Sequence, residues 1–178
     1  MKVTNLRLQG LKLIQPALFQ DERGFFKESY HASRYSQLGI ISSFVQDNHS
    51  FSKKNVIRGM HFQSTPGQNK LVWVTQGKIF DVAVDLRKDS PTFGHWEGVY
   101  LDDQSQEQLF VPKGFAHGFC VLSDEGAHVN YKVSALYDSS TEKTFRYDDP
   151  AVGIEWPIKN PILSIRDRES PCLKEAIK

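Results

Sequence analysis

The chain has 178 residues, enough for one domain with a sizeable core. Its 24% charged and 39% hydrophobic residues are an ordinary globular mix, and a net charge of +1 gives no footprint for nucleic acid or a membrane surface. No apolar run approaches a membrane span, and Met1-Lys2-Val3-Thr4 lacks a signal-peptide pattern, so a soluble cytoplasmic protein is expected.

Taken in order, Val3, Leu6 and Leu8, then Leu11 and Leu13, alternate loosely around Gly10 and predict two short strands within residues 1–15. Asp21-Glu22-Arg23-Gly24 reads as a turn, and Phe25-Phe26-Lys27-Glu28 opens a strand after it. One short helix is expected from His31 to Leu38, closed by Gly39. From Phe44 onward, runs rich in Val, Ile, Phe and Tyr recur at 44–52, 56–63, 70–75, 78–86, 97–101, 107–111, 115–122 and 127–134. Short strands at that spacing, with almost no helical period, predict an all-β sandwich or barrel. Thr75-Gln76-Gly77-Lys78 reads as a hairpin turn. In the strand after it, Phe80, Val82, Val84 and Leu86 share one face, and Ile79, Asp81, Ala83 and Asp85 share the other. Asp81 and Asp85 are expected to be structural, buried and hydrogen-bonded. The C-terminal part, with Pro150, Pro157, Pro161 and Pro171, is expected to be irregular chain wrapped over the body. No repeat or linker divides the chain, so a single domain over 1–178 is expected.

Chemistry gathers around Ile57-Arg58-Gly59-Met60-His61-Phe62-Gln63, with Lys70 just beyond. A histidine on rigid scaffold beside positive charge suits a catalytic base whose reaction develops negative charge nearby. Arg58 and His61 have opposite parity on a regular strand, so a bulge or kink at Gly59 is needed to bring both to one pocket. Cys120 and Cys172 match no zinc or redox spacing, and Cys120 in Phe119-Cys120-Val121-Leu122 reads as a small buried hydrophobe.

Gly59-Met60-His61-Phe62-Gln63 and Pro112-Lys113-Gly114-Phe115-Ala116-His117-Gly118 together resemble the two histidine-bearing segments of the cupins. That resemblance implies a double-stranded jelly-roll barrel with a few short helices, both segments lining one mouth. In metal-binding cupins the first segment carries His-x-His and then a glutamate. Here Gln63 replaces the second histidine, and Asn69 and Lys70 stand where the glutamate would fall. His61 and His117 alone are fewer ligands than a catalytic metal usually has, so no metal is expected.

The fuller series is more specific. Arg23-Gly24-Phe25-Phe26-x-Glu28, Gln46-Asp47-Asn48-x-Ser50, Arg58 to Gln63, Lys70-Leu71-Val72 and Asp81-Val82-x-Val84-Asp85-Leu86-Arg87 follow in order. Ser90-Pro91-Thr92-Phe93-Gly94, Pro112-x-Gly114-Phe115-Ala116-His117-Gly118-Phe119, Tyr131-Lys132, Asp149-Pro150, Trp156-Pro157 and Ser164-x-x-Asp167 complete the run. Over roughly residues 3 to 172 the chain resembles the dTDP-4-dehydrorhamnose 3,5-epimerases, which invert two carbons of dTDP-4-dehydro-6-deoxyglucose on the route to dTDP-rhamnose. The resemblance implies His61 as base, oriented by Asp167, Lys70 at the enolate oxygen and Tyr131 as the acid on the opposite face, with no cofactor. Tyr137 is a second candidate for that proton or for packing on the ligand.

For the nucleotide, the resemblance implies Arg23, Glu28, Gln46, Asp47, Asn48 and Arg58, with Arg23 and Glu28 supplied by the neighbouring subunit of a homodimer. Arg166 or Lys132 could join the arginines in neutralising a pyrophosphate, and His117 and Glu142 belong near the same mouth. Three rivals stand beside this: a mono-epimerase inverting only C3 or only C5, a non-catalytic sugar-nucleotide-binding cupin, and a metal-dependent cupin dioxygenase.

Overall fold

A computed structural model describes all 178 residues. The chain runs β1 (Lys2–Asn5), β2 (Lys12–Gln15), β3 (Phe19–Asp21), β4 (Gly24–Phe26) and helix α1 (Ala32–Gln37) before the barrel begins. The barrel strands are β5 (Gln46–Ser52), β6 (Ile57–Gln63), β7 (Lys70–Gln76), β8 (Lys78–Asp85), β9 (Trp96–Asp102), β10 (Gln108–Val111), β11 (Phe115–Val121) and β12 (Ala127–Val133). β13 (Glu142–Thr144) and two one-turn helices, α2 (Ile165–Arg168) and α3 (Leu173–Ala176), complete it.

One sheet has the order β1-β2-β10-β7-β12-β5 and the other β13-β6-β11-β8-β9. From β5 to β12 the first strand pairs with the last, the second with the second-last, and so inward to the β8–β9 hairpin. That is the jelly roll: a long folded-over ribbon whose arms alternate between two facing sheets. It brings β6 and β11 side by side across some fifty-odd residues of sequence and sets His117 opposite His61 in register.

The alternation expected in β8 holds, and both of its faces are buried. Ile79 and Ala83 enter the core between the sheets, with Val72, Val74, Leu109, Phe119 and Val129. Phe80, Val82 and Val84 face the other way, under a cover of Phe145, Trp156, Leu173 and Ala176 from the C-terminal part. Helix α1 seals a third cluster, laying Tyr35 on Ile14, Leu71 and Phe110.

Two expectations need correction. The turn at Gly77 is not a hairpin: β7 pairs with β10 and β12, β8 with β9 and β11, so the chain there crosses from one sheet to the other. Gly77 has φ +89, and a Cβ on it would stand 2.3 Å from the Gly126 carbonyl, which is why glycine is needed at this corner. The C-terminal part wraps the body as expected but is not wholly irregular. A parallel bridge from Val56 to Ile162 pins it beside β6, and the Ser164 hydroxyl accepts from the Asp167 N–H to start α2.

Candidate active site

The site is built on an irregularity. Between Arg58 and His61 the β6–β11 register slips: Arg58 lies opposite Phe119 and His61 opposite His117, so two residues of β6 face the single Gly118. This bulge resets the alternation. Ile57, Met60 and Phe62 point into the outer cluster, leaving Arg58 and His61 both toward the barrel interior. The close approach demands glycine on both strands, since a Cβ on Gly59 would meet the Gly118 Cα at 2.6 Å.

His61 Nε2 lies 2.6 Å from Asp167 Oδ1, and no protein group hydrogen-bonds the other ring nitrogen. The imidazole is 30% exposed and the carboxylate 5%, so the ring opens to the cleft while its partner is sunk behind it. Arg58, His61, Ser164, Arg166 and Asp167 share a cleft of about 330 Å³. Burial pushes the Asp167 carboxyl up, but the His61 contact, the Ser164 hydroxyl and the Gly59 N–H outweigh it and hold it below the usual range. An anionic partner of this kind fixes the tautomer and stabilises the imidazolium.

A second pair lies next to the first. His117 Nε2 sits 2.8 and 3.0 Å from the two oxygens of Asp81, which is fully buried. Burial pushes the Asp81 carboxyl up, against the pull of His117 and Lys70. Asp81 is buried and hydrogen-bonded as expected, and its histidine partner lies in register with His61. Asp85 also keeps the structural role, gathering Arg87, Ser90 and Thr92 into the loop after β8.

From the facing sheet, Lys70 Nζ stands 5.8 Å from the centre of the Tyr131 ring and donates to Gln68 Oε1 at 2.6 Å. Burial lowers its pKa to about 8, although Glu142 and Asp81 act to raise it. Burial, with Glu142, raises the Tyr131 phenol, partly offset by Arg58. The phenol therefore stays protonated at neutral pH. A base with a lone pair, a buried ammonium and a protonated phenol can together remove a proton beside a carbonyl, hold the oxyanion and supply a proton. No three His, Cys, Asp or Glu side chains converge as metal ligands.

The family model for dTDP-4-dehydrorhamnose 3,5-epimerases matches residues 5–175. The chain belongs to that family. It is 47% identical over 94% of its length to the dTDP-4-dehydrorhamnose 3,5-epimerase of Shigella flexneri, covering 93% of that protein. The crystal structure of the dTDP-6-deoxy-D-glucose-3,5-epimerase of Legionella pneumophila, in complex with dTDP-4-keto-L-rhamnose, superposes with a TM-score of 0.94. Identity to it is 47%, with 97% of this chain and 93% of that one covered. A dTDP-4-dehydrorhamnose 3-epimerase of Streptomyces niveus is 42% identical over 99% of this chain and 86% of its own.

Not every position singled out from the epimerase motifs lies in this group. Arg58 reaches the Ser52 hydroxyl at 2.8 Å, and Gln46 donates to Asn48 on the inward face of β5. Glu142 pairs with Arg166, which lines the cleft, and the N–H of the exposed Tyr137 donates to Gln46 Oε1. Asp47 does not join them. One step off the parity of Gln46 and Asn48, it faces the outside of the sheet and binds Lys132 Nζ at 2.7 Å, which removes Lys132 as well. Arg23 sits at the tip of the β3–β4 hairpin, held by Asp21, and Glu28 is paired with Arg34. Neither reaches the site within one chain. Asp81 and Gln68 are the additions, and the inward parity of Asp81 was the available signal.

Proposed function

We propose that the protein is a cofactor-independent isomerase that inverts C3 and C5 of dTDP-4-dehydro-6-deoxy-D-glucose to give dTDP-4-dehydro-L-rhamnose. His61 on one sheet, backed by Asp167 of α2, with Tyr131 and Lys70 on the facing sheet, supports this most directly. Inversion needs a proton removed from one face of the sugar ring and another delivered to the opposite face. His61 takes the hydrogen beside the C4 ketone, and the electron pair moves onto the carbonyl oxygen as an enolate. Lys70 stabilises that oxygen. The enolate carbon then takes the Tyr131 proton, and solvent restores both side chains. The ketone is already in the substrate, so no redox cofactor is called for.

Two expected results follow. Replacing Tyr131 by Phe leaves base-side exchange and stops inversion: substrate recovered from heavy water carries deuterium with its configuration retained. Loss of exchange together with inversion would remove Tyr131 from the acid role. The Lys70 ammonium is charged below about pH 8 and neutral above it, so kcat/KM falls as pH rises through that value. A Lys70→Arg variant, charged throughout, loses the alkaline limb, and a wild-type profile flat to pH 10 would contradict the role of the charge.

The nucleotide site is read as shared between two copies. Phe19, Phe25 and Phe26 are exposed on the hairpin that carries Arg23, an apolar arm with nothing of its own chain to cover. Inserted into a neighbour, it would bring the Arg23 guanidinium to the pyrophosphate and Glu28 beside the nucleoside. Sedimentation equilibrium is expected to give a dimer, and Arg23→Ala to weaken dTDP binding about tenfold, roughly 1.4 kcal/mol. A monomer, or unchanged affinity, would break this part. No helix is long and apolar enough to cross a membrane, and both cysteines are free, which fits the reducing cytoplasm. The Streptomyces niveus relative makes inversion at C3 alone the second reading, and deuterium exchange followed separately at C3 and C5 distinguishes the two.

A further inference from the structure

A sizeable cavity lies away from the histidine pairs. It encloses about 540 Å³ between the end of β6 and the following loop (Phe62, Gln63, Ser64, Pro66, Gly67), the loops at 86–93 and 113–115, Lys143 of β13, and Ile177. None of His61, Lys70, Asp81, His117, Tyr131 or Asp167 lines it. Strand β6 is the shared wall: His61 points into the barrel, and Phe62, one residue on, points the other way.

The charge of this cavity departs from that of the chain. Acidic and basic residues nearly balance overall, 21 against 22, yet the 14 lining residues include Arg87, Lys88, Lys113 and Lys143 and no Asp or Glu. Arg87 is neutralised by Asp85 at 2.7 Å and stacks 4.7 Å over the Phe115 ring, so it is fixed as part of the wall. Lys88, Lys113 and Lys143 form no ion pair in the fold. Three unpaired lysines lining one concavity offer attraction to an anion placed between them. Beside the polar Gln63 and Ser64, the lining has an apolar part. Leu86, Pro66 and Ile177 line it, and the Phe93 ring is 37% exposed there. A volume of this size, apolar with a few convergent polar groups, is what a small organic ligand needs.

We propose that this cavity is a second ligand site, for a phosphate monoester of an aromatic or short apolar group. Its dianion sits among Lys88, Lys113 and Lys143, and its apolar part lies on Phe93, Leu86 and Ile177. A dianion is favoured over a carboxylate because three unpaired cations face it. The assignment does not depend on the sugar-nucleotide chemistry at His61.

Amide chemical-shift titrations of the intact protein test it, with phenyl phosphate, phenylacetate and benzyl alcohol as probes. The expected result is saturable shifts at Gly67, Phe93, Lys113 and Gly114 with phenyl phosphate, with phenylacetate weaker and benzyl alcohol at least tenfold weaker. The double variant K113E/K143E, both substitutions on the surface, should weaken phenyl phosphate at least tenfold, while Phe93→Ala weakens all three probes. Equal binding of benzyl alcohol, unaltered binding to the double variant, or phenyl phosphate shifts confined to the strands around Arg58 and His61 would each overturn the proposal.

Discussion

His61→Asn is expected to lower kcat by about 10³, the middle of the range a positioned general base supplies, while leaving dTDP affinity within about threefold and the melting temperature unchanged. The expectation follows from geometry. The imidazole is partly open, its buried contact is one carboxylate, and the apolar neighbours on its strand, Met60 and Phe62, face the opposite way. Asparagine keeps a polar group beside Asp167 but has no lone-pair nitrogen to take a proton. Steady-state turnover, dTDP titration and thermal melting on the same preparation check it. A fall in affinity or stability matching the fall in kcat would make His61 a structural residue instead.

Gly59→Ala should damage both fold and site. Gly59 has φ +137, outside what an L side chain adopts comfortably, and its added Cβ would lie 2.6 Å from Gly118 Cα and 3.1 Å from the His117 carbonyl. Backbone strain of about 1–3 kcal/mol adds to overpacking of about 1–3 kcal/mol against main chain, which cannot rotate away. A loss of about 3 kcal/mol is expected, roughly 6–12 °C in melting temperature for a chain of this length. Because the bulge aims Arg58 and His61 together, kcat/KM should fall as well, even well below the melting transition. Gly153→Ala separates the causes: its φ is +66, but nothing lies within 4 Å of the added Cβ. It should cost no more than about 1 kcal/mol and leave activity intact. Equal effects from the two substitutions would contradict a packing role for Gly59.

The barrel was legible because period-two alternation is local and strong. All eight strands from β5 to β12 fall on the runs expected to be strands, and the two faces of β8 separate as their residues do. Gly77 misled because a glycine between two strands looks the same whether they pair or part. Pairing depends on β10 and β12, residues far along the chain. Helix α2 is one turn long and shows no period, yet Ser164-x-x-Asp167 carries a capping signal that could have marked it. Asp47 was excludable from parity alone, since it alternates with Gln46 and Asn48. Asp81 shares the inward face of β8, but its partner His117 becomes visible only once β8 and β11 pair. Arg23 and Glu28 stand apart from the site in one chain, paired with Asp21 and Arg34, and only the proposed dimer would bring them to a neighbour's site.

The measurement that bears most directly on the proposed reaction is proton NMR of dTDP-4-dehydro-6-deoxyglucose incubated with the protein in heavy water, with no reductase present. Deuterium entering at both C3 and C5, with the L-configured product accumulating to equilibrium, is the predicted result. Entry at C3 alone would place the chain with the mono-epimerases, and no entry at either carbon while the nucleotide sugar stays bound would contradict the epimerase assignment.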